Sequence, residues 1–381
     1  MRSSLLYNYL LVFLLSAMAC RKPYIAPVQQ QPNQFLVVDG LINASPGGVS
    51  RFTLSFSKSL GDTTLQYPVN NAELRIEGTD GSIYRLEALN DSGVYISAPL
   101  QLSAANNYRL LIRTADNRSY RSAFERVLIA PEIDSIAWEA NPDLNFFLYT
   151  KDPSNQQQYY RWEFEETYQT TAQNPSFWAV VNGRIVEADA TNQTASCWIT
   201  DPSKELLIGT TTGLSSAVVF KAPLHTISKP DKRLSIRYSM LVRQYAITPE
   251  AYRYYRLMKQ NSEELGGIFD PLPSQLNGNI QSDSDPEEPV IGYIAVGQTT
   301  EKRIFVNNQE LDNWPLITTG YDCSVRNVPS NPTDFTIFNY SDPEYGFWYF
   351  SSGQPPGLVL SKKLCLDCRL SGGTNQKPSF W

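Results

Sequence analysis

Between Phe35 and Val127 the chain alternates apolar and polar residues in seven short runs, and this period of two constrains its fold more than any other feature. The runs cover residues 35–43, 50–58, 71–78, 82–89, 93–99, 108–115 and 119–127. Turn-forming clusters separate them: Pro46-Gly47-Gly48, Thr79-Asp80-Gly81, Asn90 to Gly93, Asn106-Asn107 and Asp116-Asn117. Such residues tolerate the backbone angles of tight turns. No stretch of helical period interrupts the series. Short strands in unbroken succession pair antiparallel and bury one face against a second layer, so residues 35–128 are expected to form a β-sandwich domain.

Residues 129–381 are expected to form a second, β-rich domain. In residues 159–169, Tyr160, Trp162, Phe164 and Tyr168 share one face of a strand, while Arg161, Glu163 and Glu165 share the other. Further strands are expected at 177–181, 195–200, 217–220, 234–246, 290–296, 301–306, 335–338 and 347–350. One segment breaks the pattern, a helix predicted over 249–265. Thr248 suits the cap and Pro249 the first helical position. Ala251, Tyr254, Tyr255, Met258, Ser262 and Leu265 recur at spacings of three and four, which marks a buried face. Tyr252, Arg256, Lys259 and Glu263 fall opposite, and Gly266-Gly267 supplies the stop. Of these, Tyr252, Arg256 and Lys259 are candidate anchors for a partner, since a tyrosine and two cations are typical of covered interfaces. The fold class is therefore mainly β, with one main α-helix.

The first 34 residues form no part of this pattern. Arg2 precedes an apolar run, Leu10 to Leu15, that is too short to span a bilayer. Ser16, Ala17, Met18 and Ala19 then lead into Cys20, an arrangement that resembles the lipobox of bacterial lipoproteins. The resemblance implies a signal peptide over 1–19 and lipidation of Cys20, which would make the lipid the membrane anchor. Residues 20–34, rich in Pro and Gln, read as anchor and extended tether. Arg21-Lys22 starts the tether without an acidic cluster, so the periplasmic and surface-facing sides of the outer membrane both stay open. The formal charge of −6, from 32 basic and 38 acidic residues, argues against a nucleic-acid partner.

The residues that could carry chemistry are few. The single histidine, His225, is expected to be a hydrogen-bonded surface or edge residue rather than a general base, and no serine elbow, zinc-protease motif or phosphate loop is present. Glu163 and Glu165 are the one carboxylate pair that could in principle run glycoside hydrolysis, with aromatics nearby to stack on sugars. An alternation of charged and aromatic residues is also what a half-exposed strand normally carries. The acidic loop from Asp283 to Glu288 offers oxygen ligands for calcium, yet lacks the glycine and spacing of an EF-hand; a solvated loop near the helix is the simpler expectation. Cys365 and Cys368 form a C-x-x-C followed by Gly-Gly in a β context, unlike a redox motif at a helix start. With Cys20 lipidated, Cys197, Cys323, Cys365 and Cys368 are an even set in an oxidising compartment and are expected to form two disulfides. Three pairings are possible. The favoured ones send Cys365 and Cys368 separately to Cys197 and Cys323, because a bridge inside C-x-x-C constrains little chain. No cofactor and no metal are expected.

Six blocks carry a family resemblance: residues 197–211 (CWITDPSKELLIGTT), 233–255, 266–280 (GGIFDPLPSQLNGNI), 285–296, 301–306 and 365–381 (CLDCRLSGGTNQKPSFW). They resemble the Bacteroidota lipoprotein family catalogued as domain of unknown function 4249. The run order within 35–128 is in turn similar to Ig-like and prealbumin-like sandwiches. The family resemblance implies a lipid signal, a β-rich body and no assigned activity. It also implies service to a TonB-dependent outer-membrane receptor in nutrient uptake. Together these lead to the expectation of a non-enzymatic accessory or ligand-binding partner of such a receptor. A carboxylate-based glycan hydrolase and a structural or adhesion module of the envelope are the alternatives.

Overall fold

A computed structural model describes residues 35–58, 67–263, 276–317, 320–353 and 357–381. The expected runs of the first half all become strands: β1 (Leu36–Asn43), β2 (Arg51–Phe56), β3 (Tyr67–Pro68), β4 (Glu73–Gly78), β5 (Ile83–Ala88), β6 (Val94–Ser97), β7 (Asn107–Arg113), β8 (Ser119–Ser122), β9 (Glu125–Arg126) and β10 (Leu128–Ile129). The second half adds β11 (Ile133–Ala140), β12 (Leu144–Lys151), β13 (Tyr159–Thr171), β14 (Trp178–Val181), β15 (Arg184–Glu187), β16 (Ser196–Pro202), β17 (Leu207–Thr210), β18 (Val218–Ile227) and β19 (Arg237–Ala246). Helix α1 (Pro249–Glu263) follows, then β20 (Ile280–Ser282), β21 (Ala295–Asn307), β22 (Val325–Pro329), β23 (Tyr345–Phe350) and β24 (Gly357–Lys362). Among the described residues no helix is long and apolar enough to cross a membrane.

Two apolar cores follow from the alternation. In the first half Leu36, Val38, Phe52, Leu54, Leu74 and Ile76 are among the side chains that fill one layer. In the second, the three-stranded sheet β11-β12-β18 lies over the inner face of β13, β19 and β21. Leu144, Phe146 and Leu148 meet Tyr160, Trp162 and Phe164 there, each almost wholly buried. Every such side chain contributes roughly 1.5–3 kcal/mol by leaving water. The opposite face of the same strands, carrying Arg161, Glu163 and Glu165, stays partly open.

The ladder does not stop at residue 128. One 16-stranded sheet runs β16-β13-β19-β21-β1-β2 and on through the first half to β8 and β20. The joint is β21, which pairs in parallel with β1 (Leu41↔Ala295) and antiparallel with β19 (Arg243↔Glu301). β20, from the second half of the chain, closes the far edge against β8. Phe35–Trp381 accordingly form one compact unit.

Local differences from the expected elements have physical causes. Of the run expected at 290–296 only Ala295 and Val296 are in strand, continuous with 301–306 in the 13-residue β21, which finds partners on both sides without a turn. Before them only Ile291 bridges, to Val37. Residues 335–338 form no strand; only Ile337 bridges, to Arg184, while Asp334 turns the chain by accepting from Thr336. The helix begins as expected, with Thr248 Oγ1 accepting from Ala251 N–H at 3.1 Å. Ala251, Tyr254 and Tyr255 are buried against Tyr245, Ile247 and Tyr293, and Met258 is half-buried there. Ser262 instead faces water and donates to Met258 O at 2.9 Å. Leu265 and Gly266-Gly267 lie outside the described residues.

Two disulfides, Cys197–Cys368 and Cys323–Cys365, bind the C-terminal segment to the body, with Cα atoms 5.7 and 5.8 Å apart. The two cysteines of the C-x-x-C thus reach separate partners, as expected. Phe380 and Trp381 lie on the open face of the large sheet, under Arg303 and Arg237 respectively.

Candidate binding groove

The open face of β13, β19 and β21 continues across β1 and β2, because parallel pairing of β1 with β21 sets Asp39, Leu41 and Asn43 on the same side as the odd-numbered residues of β21. The result is a groove of about 600 Å³. Charged side chains line it from both ends. From the second half come Arg161, Glu163, Glu165, Arg243 and Glu301, and from the first half Asp39 and Arg51.

The first set is held in a network. Glu163 Oε1 accepts from Arg161 at 2.5 Å and its Oε2 accepts from the Tyr245 hydroxyl at 2.8 Å. Burial and the neighbouring Glu163 carboxylate push the Tyr245 phenol well above its usual value, so it stays a donor. Arg161 also donates to Tyr255 Oη at 2.9 Å, tying the groove to the buried face of α1, and burial raises that phenol as well. Arg243 donates to Glu301 at 2.8 Å, while Glu165 has Arg243 at 4.0 Å and Arg303 at 3.9 Å. One donor is left over, the buried Nε of Arg161. Asp39 and Arg51, both exposed, have no hydrogen-bond or ion-pair partner among the described residues. A ligand entering the groove thus meets fixed donors and acceptors on one side and free charges of both signs on the other.

Residues 21–303 match the family model described as a domain of unknown function (DUF4249). The chain belongs to that family. The match takes in every groove residue and stops short of the last block of resemblance, residues 365–381. No curated protein matches this DUF4249 chain.

The other residues singled out in the sequence lie apart from the groove. Tyr252 is not part of a solvated helix face: its ring packs 5.2 Å from Tyr159. Lys259 donates to Leu206 O at 3.0 Å. Both therefore fasten α1 to neighbouring strands, and only Arg256 of the three is exposed without a partner among the described residues. Cys20 lies outside the described residues. His225 is hydrogen-bonded on the edge strand β18, with Nδ1 2.8 Å from Glu205 Oε1 and Nε2 3.6 Å from the buried Glu166. The acidic loop turns toward the first half instead of the helix: Asp283 pairs with Arg121 at 3.1 Å and Glu288 accepts from Tyr120 at 2.8 Å.

Of the groove, the sequence set Arg161, Glu163 and Glu165 on one face and singled out only the two glutamates as candidates for chemistry. Arg243, Tyr245, Glu301 and Arg303 carried a weak signal, the same odd-numbered phase along their strands. Asp39 and Arg51 carried none. They arrive through β1–β21 pairing, whose Thr299-to-Ser45 hydrogen bond closes 254 residues of chain.

Proposed function

We propose that the chain is a non-catalytic, lipid-anchored binding protein of the outer membrane. It serves a TonB-dependent uptake receptor, as accessory subunit or as binder of its cargo. The observation that carries this reading is the state of the groove. Both oxygens of Glu163 are already taken by fixed donors, whereas Asp39 and Arg51 stand open to a ligand. A hydrolytic pair needs one carboxyl facing the glycosidic oxygen and another facing the sugar or a water. A groove with paired carboxylates and free charges of opposite sign suits recognition instead. The anchor is supported by the Leu10–Leu15 run and by Ala19-Cys20, and the receptor by the family resemblance.

The test is affinity purification from detergent-solubilised envelope. Asp39→Asn with Arg51→Gln should leave melting nearly unchanged, since neither side chain has a hydrogen bond or ion pair to lose among the described residues, yet lower recovery of the receptor several-fold. Equal recovery of the same partners would remove the groove from the function. Cys20→Ser should move the protein out of the carbonate-washed membrane fraction; retention there would defeat the lipid anchor.

A further inference from the structure

Strand β21 is covered unevenly. On one side its ladder to β19 runs from Thr299 to Asn307. On the other, β1 pairs with Ala295–Gly297 alone and then turns away. The amides of the odd-numbered residues point to that second side. Gly297 O accepts from Ala44 N–H at 2.9 Å, and Thr299 N–H donates to Ser45 Oγ at 3.1 Å. At the far end Asn307 N–H donates to Glu310 Oε2 at 2.6 Å. Side chains thus close both ends of the edge. Between them the backbone N–H and C=O groups of Glu301, Arg303 and Phe305 have no protein partner among the described residues. The open stretch is about 14 Å long at the usual rise of a strand.

A row of alternating donors and acceptors at strand spacing is matched by a second extended backbone and by no sugar, nucleotide or lipid. The slot opens on the groove, since Thr299 and Glu301 line both. Its side chains also limit who can pair. Glu301 and Arg303 lie on the groove face, so a strand laid alongside is favoured by a basic residue opposite the first and an acidic residue opposite the second. A second copy pairing symmetrically about Arg303 would set that arginine against itself, a like-charge contact that disfavours self-association.

We propose that the β21 edge from Glu301 to Phe305 is a docking slot for an extended segment of a partner protein, added as a strand and carrying a basic and an acidic residue two positions apart. The proposal rests on the binding reading above and gives the chemistry of the partner's segment.

The experiment uses the full chain in detergent and ten-residue peptides recovered from a displayed random library panned on it. Each peptide is resynthesised unmodified and in two N-methylated forms, methylated on odd or on even residues. Amide hydrogen exchange is followed at Glu301, Arg303 and Phe305. The expected result is at least tenfold slower exchange at those three amides, and enrichment of the basic–x–acidic spacing. Affinity should drop at least tenfold in one methylated form and hold in the other. No panned peptide protecting these amides, or equal binding by all three forms, overturns the proposal. Protection that grows with protein concentration in the absence of peptide also overturns it, because the occupant is then a second copy. Peptide protection without receptor recovery would sink the receptor reading and leave the slot standing; receptor recovery with unprotected amides does the reverse.

Discussion

Arg233 holds three acidic or polar neighbours in place beneath the edge of the second core. It donates to Glu166 at 2.9 and 3.1 Å and to Asp231 at 2.9 Å, and it lies 3.4 Å from His225 Nε2. Tyr238, fully buried, adds a hydrogen bond to Glu166 at 2.7 Å. Removing the guanidinium leaves a buried carboxylate facing a phenol. Arg233→Ala should therefore destabilise the fold by roughly 2–4 kcal/mol, near the lower end for a broken buried pair because Arg233 keeps some exposure. Urea unfolding would measure it, and a loss under 1 kcal/mol would mean that water replaces the arginine. The same variant should change the acid response. Burial pushes Asp231 up, but the hydrogen bonds and charge of Arg233 outweigh it and hold the carboxyl below its ordinary 3.8. A carboxyl lowered by folding contributes stability that is full above its unfolded value and is lost as pH falls through the folded one. Stability of the parent chain should thus fall as pH drops below about 4, the ordinary carboxylate value, and Arg233→Ala should flatten that part of the profile. A slope unchanged by the substitution would assign the acid response to other carboxylates.

Helix α1 shows how far local rules reach. Its cap, its first proline and the burial of Ala251, Tyr254 and Tyr255 were all legible from residue type and spacing, because an isolated helix on a sheet has only one apolar stripe to bury. Its other side was not legible: Tyr252 and Lys259, candidate anchors for a partner by residue type, are met within the chain by the start of β13 and by Leu206 just before β17. Neighbours brought from 53 and 93 residues away leave no mark on the helix's own sequence. Truncation should therefore cost stability on both faces, more on the inner one. Tyr255→Ala should cost roughly 2–5 kcal/mol, as for other large core truncations. Tyr252→Ala should cost about 1–2 kcal/mol through its lost aromatic contact and burial, while Arg256→Ala should be neutral. Melting curves of the three single variants decide it; a neutral Tyr252→Ala would restore the solvated face.

At the scale of the molecule, strand alternation revealed the β class and the even cysteine set the disulfide count, but neither showed that the two halves share a sheet. A parallel pair such as Leu41↔Ala295 involves short, ordinary strand residues, and nothing in either segment names the other. The disulfides add a covalent closure of similar span, with Cys197 and Cys368 separated by 171 residues. Loss of both should lower stability by about 2–5 kcal/mol, the usual range for secreted domains; equal denaturation midpoints with and without reductant, after mass spectrometry confirms both bridges, would count against this. The shared sheet predicts something sharper. If residues 35–128 were an independent domain, the halves would unfold separately. With β20 and β21 completing the first-half sheet from the far side of the chain, they should unfold together. The chain supplies its own probe, because all seven tryptophans, from Trp138 to Trp381, lie in the second half. Tryptophan fluorescence therefore reports on that half alone, and far-ultraviolet circular dichroism reports on both. In urea the two signals should trace one transition with a common midpoint. A fragment ending at Ala130 should lack β20 and β21, leaving β1 and β8 as bare edges, and should be unfolded or aggregated when expressed alone. Two separated transitions, or a soluble and cooperatively folded fragment, would show that the β1–β21 ladder joins domains already stable by themselves.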